Sequence, residues 1–130
     1  MRKEYTESDR TTKVVGLIPA RYHSSRFEGK PLAMISGIPM IQRVYNQSMQ
    51  SKSLASVIVL TDNSDIYDFC LSMRMKCLIV NGDCFTGTDR CAKAIKDIEG
   101  DVFVNIQGDE PLINPEAIDK LVESHTLGSV

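Results

Sequence analysis

Apolar residues along this chain follow two rhythms. Short unbroken runs alternate with stretches in which apolar positions recur every three or four residues. The runs at 14–18, 57–60, 76–80 and 102–106 read as strands buried on both faces. After the first strand and its loop, Ile41, Val44, Tyr45 and Met49 form one face of a helix that can begin at Pro39. Asn63 or Ser64 caps a second helix with Ile66, Phe69, Cys70 and Met73 inward. A third carries Cys91, Ala94, Ile95 and Ile98 inward, is capped by Thr88 and ends at Gly100. Asn114 caps a fourth that starts at Pro115, with Ile118, Leu121 and Val122 inward. Strand and helix therefore alternate four times, which predicts an α/β fold with a parallel sheet wrapped by helices. No repeat or linker divides it: 1–12 reads as a polar tail and 13–130 as one domain.

At 130 residues the chain can build one core. Its net charge of −2 excludes a general attraction to nucleic acid or to an anionic membrane, so any phosphate chemistry must come from local charge. No apolar run is long enough to span a bilayer, and the polar start has no apolar signal region, so a cytoplasmic location is expected. Cys70, Cys77, Cys84 and Cys91 recur every seven residues, but Asn81-Gly82 breaks the segment and no CxxC pair occurs. Reduced, structural thiols are expected rather than a zinc site.

Ligands of parallel sheets bind beyond the carboxyl ends of the strands. Three loops there carry chemistry. The first, IPARYHSSRFEGKPL, gathers Arg21, Arg26 and Lys30 with Ser24, Ser25 and Gly29. Glycine lets backbone approach a ligand, arginine forks two phosphate oxygens and lysine adds a point charge. This is a phosphate-site composition without the GxxxxGK[ST] or GxGxxG spacing. The fourth strand ends in VNIQGDEP, where Asp109 or Glu110 can supply a carboxylate to Mg²⁺, an ion that takes one or two such ligands plus phosphates. The third loop, FTGTDR, offers backbone amides at a helix start to a base edge or phosphate. Its plain alternative is an ordinary cap by Thr88, with Asp89 complementing the helix dipole and Arg90 facing water. A basic loop and an acidic loop on one sheet edge together suggest a nucleoside triphosphate bound with Mg²⁺. His23, in the basic loop, reads as a surface residue within reach of a ligand, His125 as exposed or packed after its helix, and Asp62 as a cap or cleft wall.

In order and spacing, IPARYHSSRFEGKPL, GIPMIQRV, VIVLTDN, TGTDR and VNIQGDEPLI resemble the 3-deoxy-manno-octulosonate (KDO) cytidylyltransferases, the CMP-KDO synthetases, over nearly the whole chain. The resemblance implies a Rossmann-like, three-layer nucleotidyltransferase fold. It implies transfer of CMP from CTP to an eight-carbon acid sugar with release of pyrophosphate, dependent on Mg²⁺, for lipopolysaccharide or capsule sugar synthesis. Arg21 and Lys30 then match the triphosphate-binding cations, with Pro19, Ala20, Ser24 and Ser25 in the same cradle. Thr86, Gly87, Thr88 and Arg90 match the nucleotide base region, Gln107 a sugar contact and Asp109 the magnesium ligand, so Arg21, Lys30 and Asp109 carry catalysis. Glu28 stands where proline is common and Cys84 where histidine is usual. Family members are considerably longer and form homodimers; the resemblance implies that the C-terminal part of the family fold is absent here, so the chain is expected to bind CTP but turn over poorly. The alternatives are a synthetase for amino-KDO or sialic acid, or a non-catalytic nucleotide-binding module.

Overall fold

A computed structural model describes residues 12–21, 30–35, 37–82, 86–108 and 110–128, without the side chains at 30, 35 and 125–128. The strands are β1 (Val14–Pro19), β2 (Met34–Ile35), β3 (Ile38–Pro39), β4 (Ser56–Thr61), β5 (Cys77–Ile79) and β6 (Val102–Asn105). The helices are α1 (Met40–Met49), α2 (Ser64–Ser72), α3 (Gly87–Ala94) and α4 (Pro115–Gly128), with 3-10 turns at Lys30–Leu32 and Ile95–Asp97.

Four strands form a wholly parallel sheet in the order β5-β4-β1-β6. β1 lies in its middle, with Gly16 in register with Val57 on one side and Val104 on the other. Burial on both faces explains why its run has no polar break: Val14, Val15, Leu17 and Ile18 are all buried. The period-two alternation sends Val14 and Ile18 into a core shared with Ile41, Val44, Ile66, Cys70, Ile118 and Val122 from α1, α2 and α4. Val15 and Leu17 enter a smaller core with Leu60, Val80, Cys91 and Ala94, on the α3 side. Helices on both faces make the three layers of a Rossmann-like α/β fold.

Several expected details shift for local reasons. α1 buries Ile41, Val44, Tyr45 and Ser48, and the Ser48 hydroxyl satisfies itself by donating to the Val44 carbonyl at 2.8 Å. That choice of face leaves Met49 52% exposed. α4 turns Ile118 and Val122 inward, four residues apart, which puts Leu121 on its flank. Met73 falls at the C-cap of α2, and the tighter 3-10 turn swings Ile95 outward. Asn63, rather than Ser64, caps α2, its side chain accepting from the Ile66 amide at 3.0 Å. Asn114 accepts from the Glu116 amide at 2.8 Å, as its place before Pro115 predicts. Pro39 does not open α1; it pairs with Met34 in the small β2-β3 hairpin and serves as the N-cap.

α4 is tied back to the segment after α1. The Asp119 carboxylate accepts from the Ser51 hydroxyl and from the Ser53 amide. The Ser51 hydroxyl, first, and the nearby amides hold that carboxyl below its ordinary pKa. A depressed carboxylate contributes stability above its unfolded pKa and loses it as pH falls through the folded one. Acid unfolding followed by circular dichroism should therefore begin at higher pH in the native chain than the remaining carboxylates alone dictate. Asp119→Asn should flatten this acid limb of the stability curve below about pH 4; an unchanged pH dependence would remove Asp119 from that role.

Candidate functional site

The chain leaves β1 toward β4 and β5, then crosses back to add β6 on the other side. This reversal opens a crevice beyond the carboxyl ends of β1 and β6. The Ile106 amide donates to the Leu17 carbonyl at 2.8 Å, and the Ala20 amide to the Leu60 carbonyl at 2.8 Å. Those bonds extend the parallel pairing past the strand ends and fix where each loop departs.

All three loops singled out from sequence meet at Pro19. A Cβ on Gly108 would lie 2.7 Å from the Pro19 carbonyl oxygen, and one on Gly87 would lie 2.9 Å from Pro19 Cγ. Neither position has room for a side chain. The fourth-strand loop and the start of α3 are thus both packed against the last residue of β1. Ala20 is buried and Arg21 exposed on the segment that follows. Gln107 is exposed beside Gly108, and the Glu110 amide turns back to the Gln107 carbonyl at 3.4 Å.

At the start of α3, Thr86 and not Thr88 is the cap. Its hydroxyl accepts from the Asp89 amide at 3.0 Å, while the Asp89 carboxylate accepts from the Thr86 amide at 3.2 Å. This reciprocal box leaves the Gly87 and Thr88 amides, which have no acceptor within the helix, at the end bordering the crevice. The Thr88 hydroxyl is released from capping and accepts from Asn105 Nδ2 at 3.3 Å, joining α3 to the end of β6.

Arg90 does not face water. It is 2% exposed, donates from Nη1 to the Val80 carbonyl at 2.6 Å and reaches Asp62 with Nη2 at 3.5 Å. Its buried Nε has no hydrogen-bond partner among the described residues. The guanidinium therefore locks α3 onto the carboxyl ends of β4 and β5, behind the crevice wall. Position in the sequence marked this residue; its burial was missed, although Arg90 and Ala94 are four apart and Ala94 was placed inward.

Of the other expected site residues, Ser24, Ser25 and Asp109 lie outside the described residues, as do His23, Arg26, Glu28 and Cys84. Lys30 opens the 3-10 turn Lys30–Leu32, which packs on α1, and its side chain is not described. Among the described residues no three His, Cys, Asp or Glu side chains cluster to hold a metal ion. Cys70, Cys77 and Cys91 are free thiols, and burial pushes Cys91 up to about 11. A cavity of about 310 Å³ lies at the opposite end of the sheet, at the amino ends of β1, β4 and β5, lined by Lys13, Ser56, Lys76, Cys77 and Glu99 among others. It borders none of the three loops. Among the described residues no helix is long and apolar enough to cross a membrane.

A parallel sheet of this order, with helices on both faces and a switch point beside β1, defines a doubly wound α/β protein. The chain belongs to the cytidylyltransferase family, whose model matches residues 15–128. It is 48% identical over 115 residues to the mitochondrial 3-deoxy-manno-octulosonate cytidylyltransferase of Arabidopsis thaliana, covering 87% of this chain and 40% of that protein. It is 46% identical to the 8-amino-3,8-dideoxy-manno-octulosonate cytidylyltransferase of Shewanella amazonensis, covering 82% of this chain and 45% of the relative. Its fold matches that of CMP:2-keto-3-deoxy-manno-octonic acid synthetase complexed with CTP, with a TM-score of 0.84 and 40% identity, over 87% of this chain and 47% of the other. The resemblance read from the five motifs is thus borne out, and the chain spans less than half the length of these relatives.

Proposed function

We propose that this chain binds CTP with Mg²⁺ in the switch-point crevice, as the nucleotide half of a cytidylyltransferase that joins CMP to KDO and releases pyrophosphate. The observation that carries the reading is the meeting of the three loops at Pro19, in a fold that superposes on a relative complexed with CTP. Arg21 and Lys30, with Ser24 and Ser25, hold the triphosphate. The Thr86-Gly87-Thr88 turn meets the nucleotide through backbone, while Arg90 holds that turn in place from behind. Gln107 faces the sugar. Asp109 holds Mg²⁺; Gly108, with no room for a Cβ against the Pro19 carbonyl, keeps the acidic turn beside the end of β1, which suits one carboxylate sharing a cation with phosphate oxygens. When bound, the cation supplies positive charge against the triphosphate. The sugar's anomeric hydroxyl attacks the α-phosphate in line and pyrophosphate leaves, with Arg21 and Lys30 stabilising the charge that moves onto it. No covalent intermediate with the chain is required.

Similarity to the amino-sugar relative keeps 8-amino-KDO as a second substrate reading. The homodimer and much of the acid-sugar pocket belong, in this reading, to sequence beyond the stretch the relatives share with this chain. A cytoplasmic setting fits the free thiols.

Calorimetry with CTP and Mg²⁺ tests the proposal. Saturable binding is expected, and Lys30→Ala should weaken it at least about tenfold, the loss of one charge-assisted hydrogen bond. Lys52→Ala, at an exposed position outside the loop, should change it little. Equal effects of the two substitutions, or no binding, would reject the cradle. A pyrophosphate-release assay over KDO, 8-amino-KDO and sialic acid separates enzyme from binding module; brisk turnover by the 130 residues alone would refute the view that essential groups lie elsewhere.

A further inference from the structure

Two thiols lie together where the proposed chemistry has no use for them. Cys70 is fully buried on the inner face of the last turns of α2, and Cys77 is the half-buried first residue of β5. The chain doubles back between them: the Met75 amide donates to the Cys70 carbonyl at 2.8 Å, after a turn in which Arg74 takes a φ of 59°. Met75 and Cys77, two residues apart, then point to the same face of the sheet and pack into the core that holds Cys70. The Tyr45 hydroxyl accepts from the Lys76 amide at 3.4 Å, which helps fix the start of β5. Each thiol is the chief perturber of the other, Cys77 drawing Cys70 down and Cys70 pushing Cys77 up, as two sulfurs lying side by side in one core do. Cys91 cannot join them, because it lies in the separate core on the other face of the sheet.

We propose that Cys70 and Cys77 form a dithiol site that low-molecular-weight disulfides oxidise to an intramolecular disulfide. Cys77 is only half-buried and lies on β5, the outer strand of the parallel sheet, which gives a small oxidant a way in. The Cys77 sulfur attacks one sulfur of the external disulfide; that S–S bond breaks, one thiol leaves with a proton, and a mixed disulfide forms on Cys77. Cys70 then attacks the Cys77 sulfur, the protein S–S bond forms and the second thiol leaves with the second proton. Two protein S–H bonds and one external S–S bond are exchanged for one protein S–S bond and two external S–H bonds. Cys70 is buried in the same core against which Cys77 packs, so the second step is intramolecular and outpaces the first, and the mixed disulfide does not accumulate. With only two thiols and no third ligand among the described residues, this pair suits disulfide exchange better than zinc.

The test treats the intact 130-residue chain with oxidised glutathione, alkylates remaining thiols and maps tryptic peptides by mass. Trypsin cuts after Arg74 and Lys76, between the two cysteines, and a second protease cutting before Asp83 parts Cys77 from Cys84, so the bridge shows as a pair of linked peptides that excludes Cys84. The expected result is a linked Cys70–Cys77 product with no mixed disulfide on Cys77, and Cys91 fully alkylated after unfolding. In Cys70→Ser, glutathione should stay on Cys77. A mixed disulfide that persists on Cys77 in the unaltered chain, a bridge to Cys84 instead, or full alkylation of both cysteines would each overturn the proposal. These outcomes are read on the unaltered chain and hold even if the variant fails to fold.

Discussion

Arg90→Ala is expected to destabilise the chain by about 3 kcal/mol, through the cavity left by a large buried side chain and the buried Val80 carbonyl left without its donor. The short bond from Nη1 to that carbonyl, at 2.6 Å, is the main interaction the substitution removes. The ion pair contributes less. Asp62 is 43% exposed and its oxygen is 3.5 Å from Nη2, so water screens most of the attraction. Asp62→Asn should therefore cost less than about 1 kcal/mol, and Arg90→Met, which keeps volume but not the donor, should fall between. Urea unfolding midpoints for the three variants check the order. If Asp62→Asn proves as damaging as Arg90→Ala, the ion pair and not the carbonyl bond is what holds α3. Because Arg90 sits behind the Thr86–Thr88 turn, any surviving folded Arg90→Met should also bind CTP more weakly, although every group assigned to touch the nucleotide is still present.

Gly108→Ala is the second large effect. The added methyl would stand 2.7 Å from the Pro19 carbonyl oxygen, a backbone atom that cannot rotate away. Ile18, at 3.6 Å, is in ordinary contact, so the clash is with the Pro19 backbone. Overpacking of this kind costs about 1–3 kcal/mol, or is relieved by pushing the 107–110 loop off the end of β1. Either way Gln107 and the turn that follows it lose their place at the end of β1. CTP affinity in the presence of Mg²⁺ should fall more than affinity without it, since the displaced turn is the one assigned to the cation. Calorimetry with and without Mg²⁺ reads this directly; an equal loss in both would detach Asp109 from the metal.

Much of this fold was legible because β1, β4, β5 and β6 are short apolar runs separated by amphipathic helices. Their ends were placed to within a residue or so, and the rule about carboxyl ends picked the three loops that meet. What escaped was local. The β2-β3 hairpin has two residues per strand, too few to show alternation. Thr86 and Thr88 both resemble caps, yet only Thr86 has an acid three residues on, the signature of a capping box. Met49, Leu121 and Ile95 sat at the margins of their apolar faces, where small rotations decide burial. Nothing in a linear pattern reveals that Gly87 and Gly108, far apart in the chain, both exist to accommodate Pro19.

The central position of β1 also sets an order of events during synthesis. Its partner on one side is β4, made soon afterwards; its partner on the other is β6, and the bond from the Lys13 amide to Asp101 spans 88 residues. Closing the shorter loop costs less chain entropy, so β1 and β4 can pair while the rest is still being translated. Until β6 leaves the ribosome, one flank of β1 remains an open hydrogen-bonding edge, vulnerable to the wrong strand.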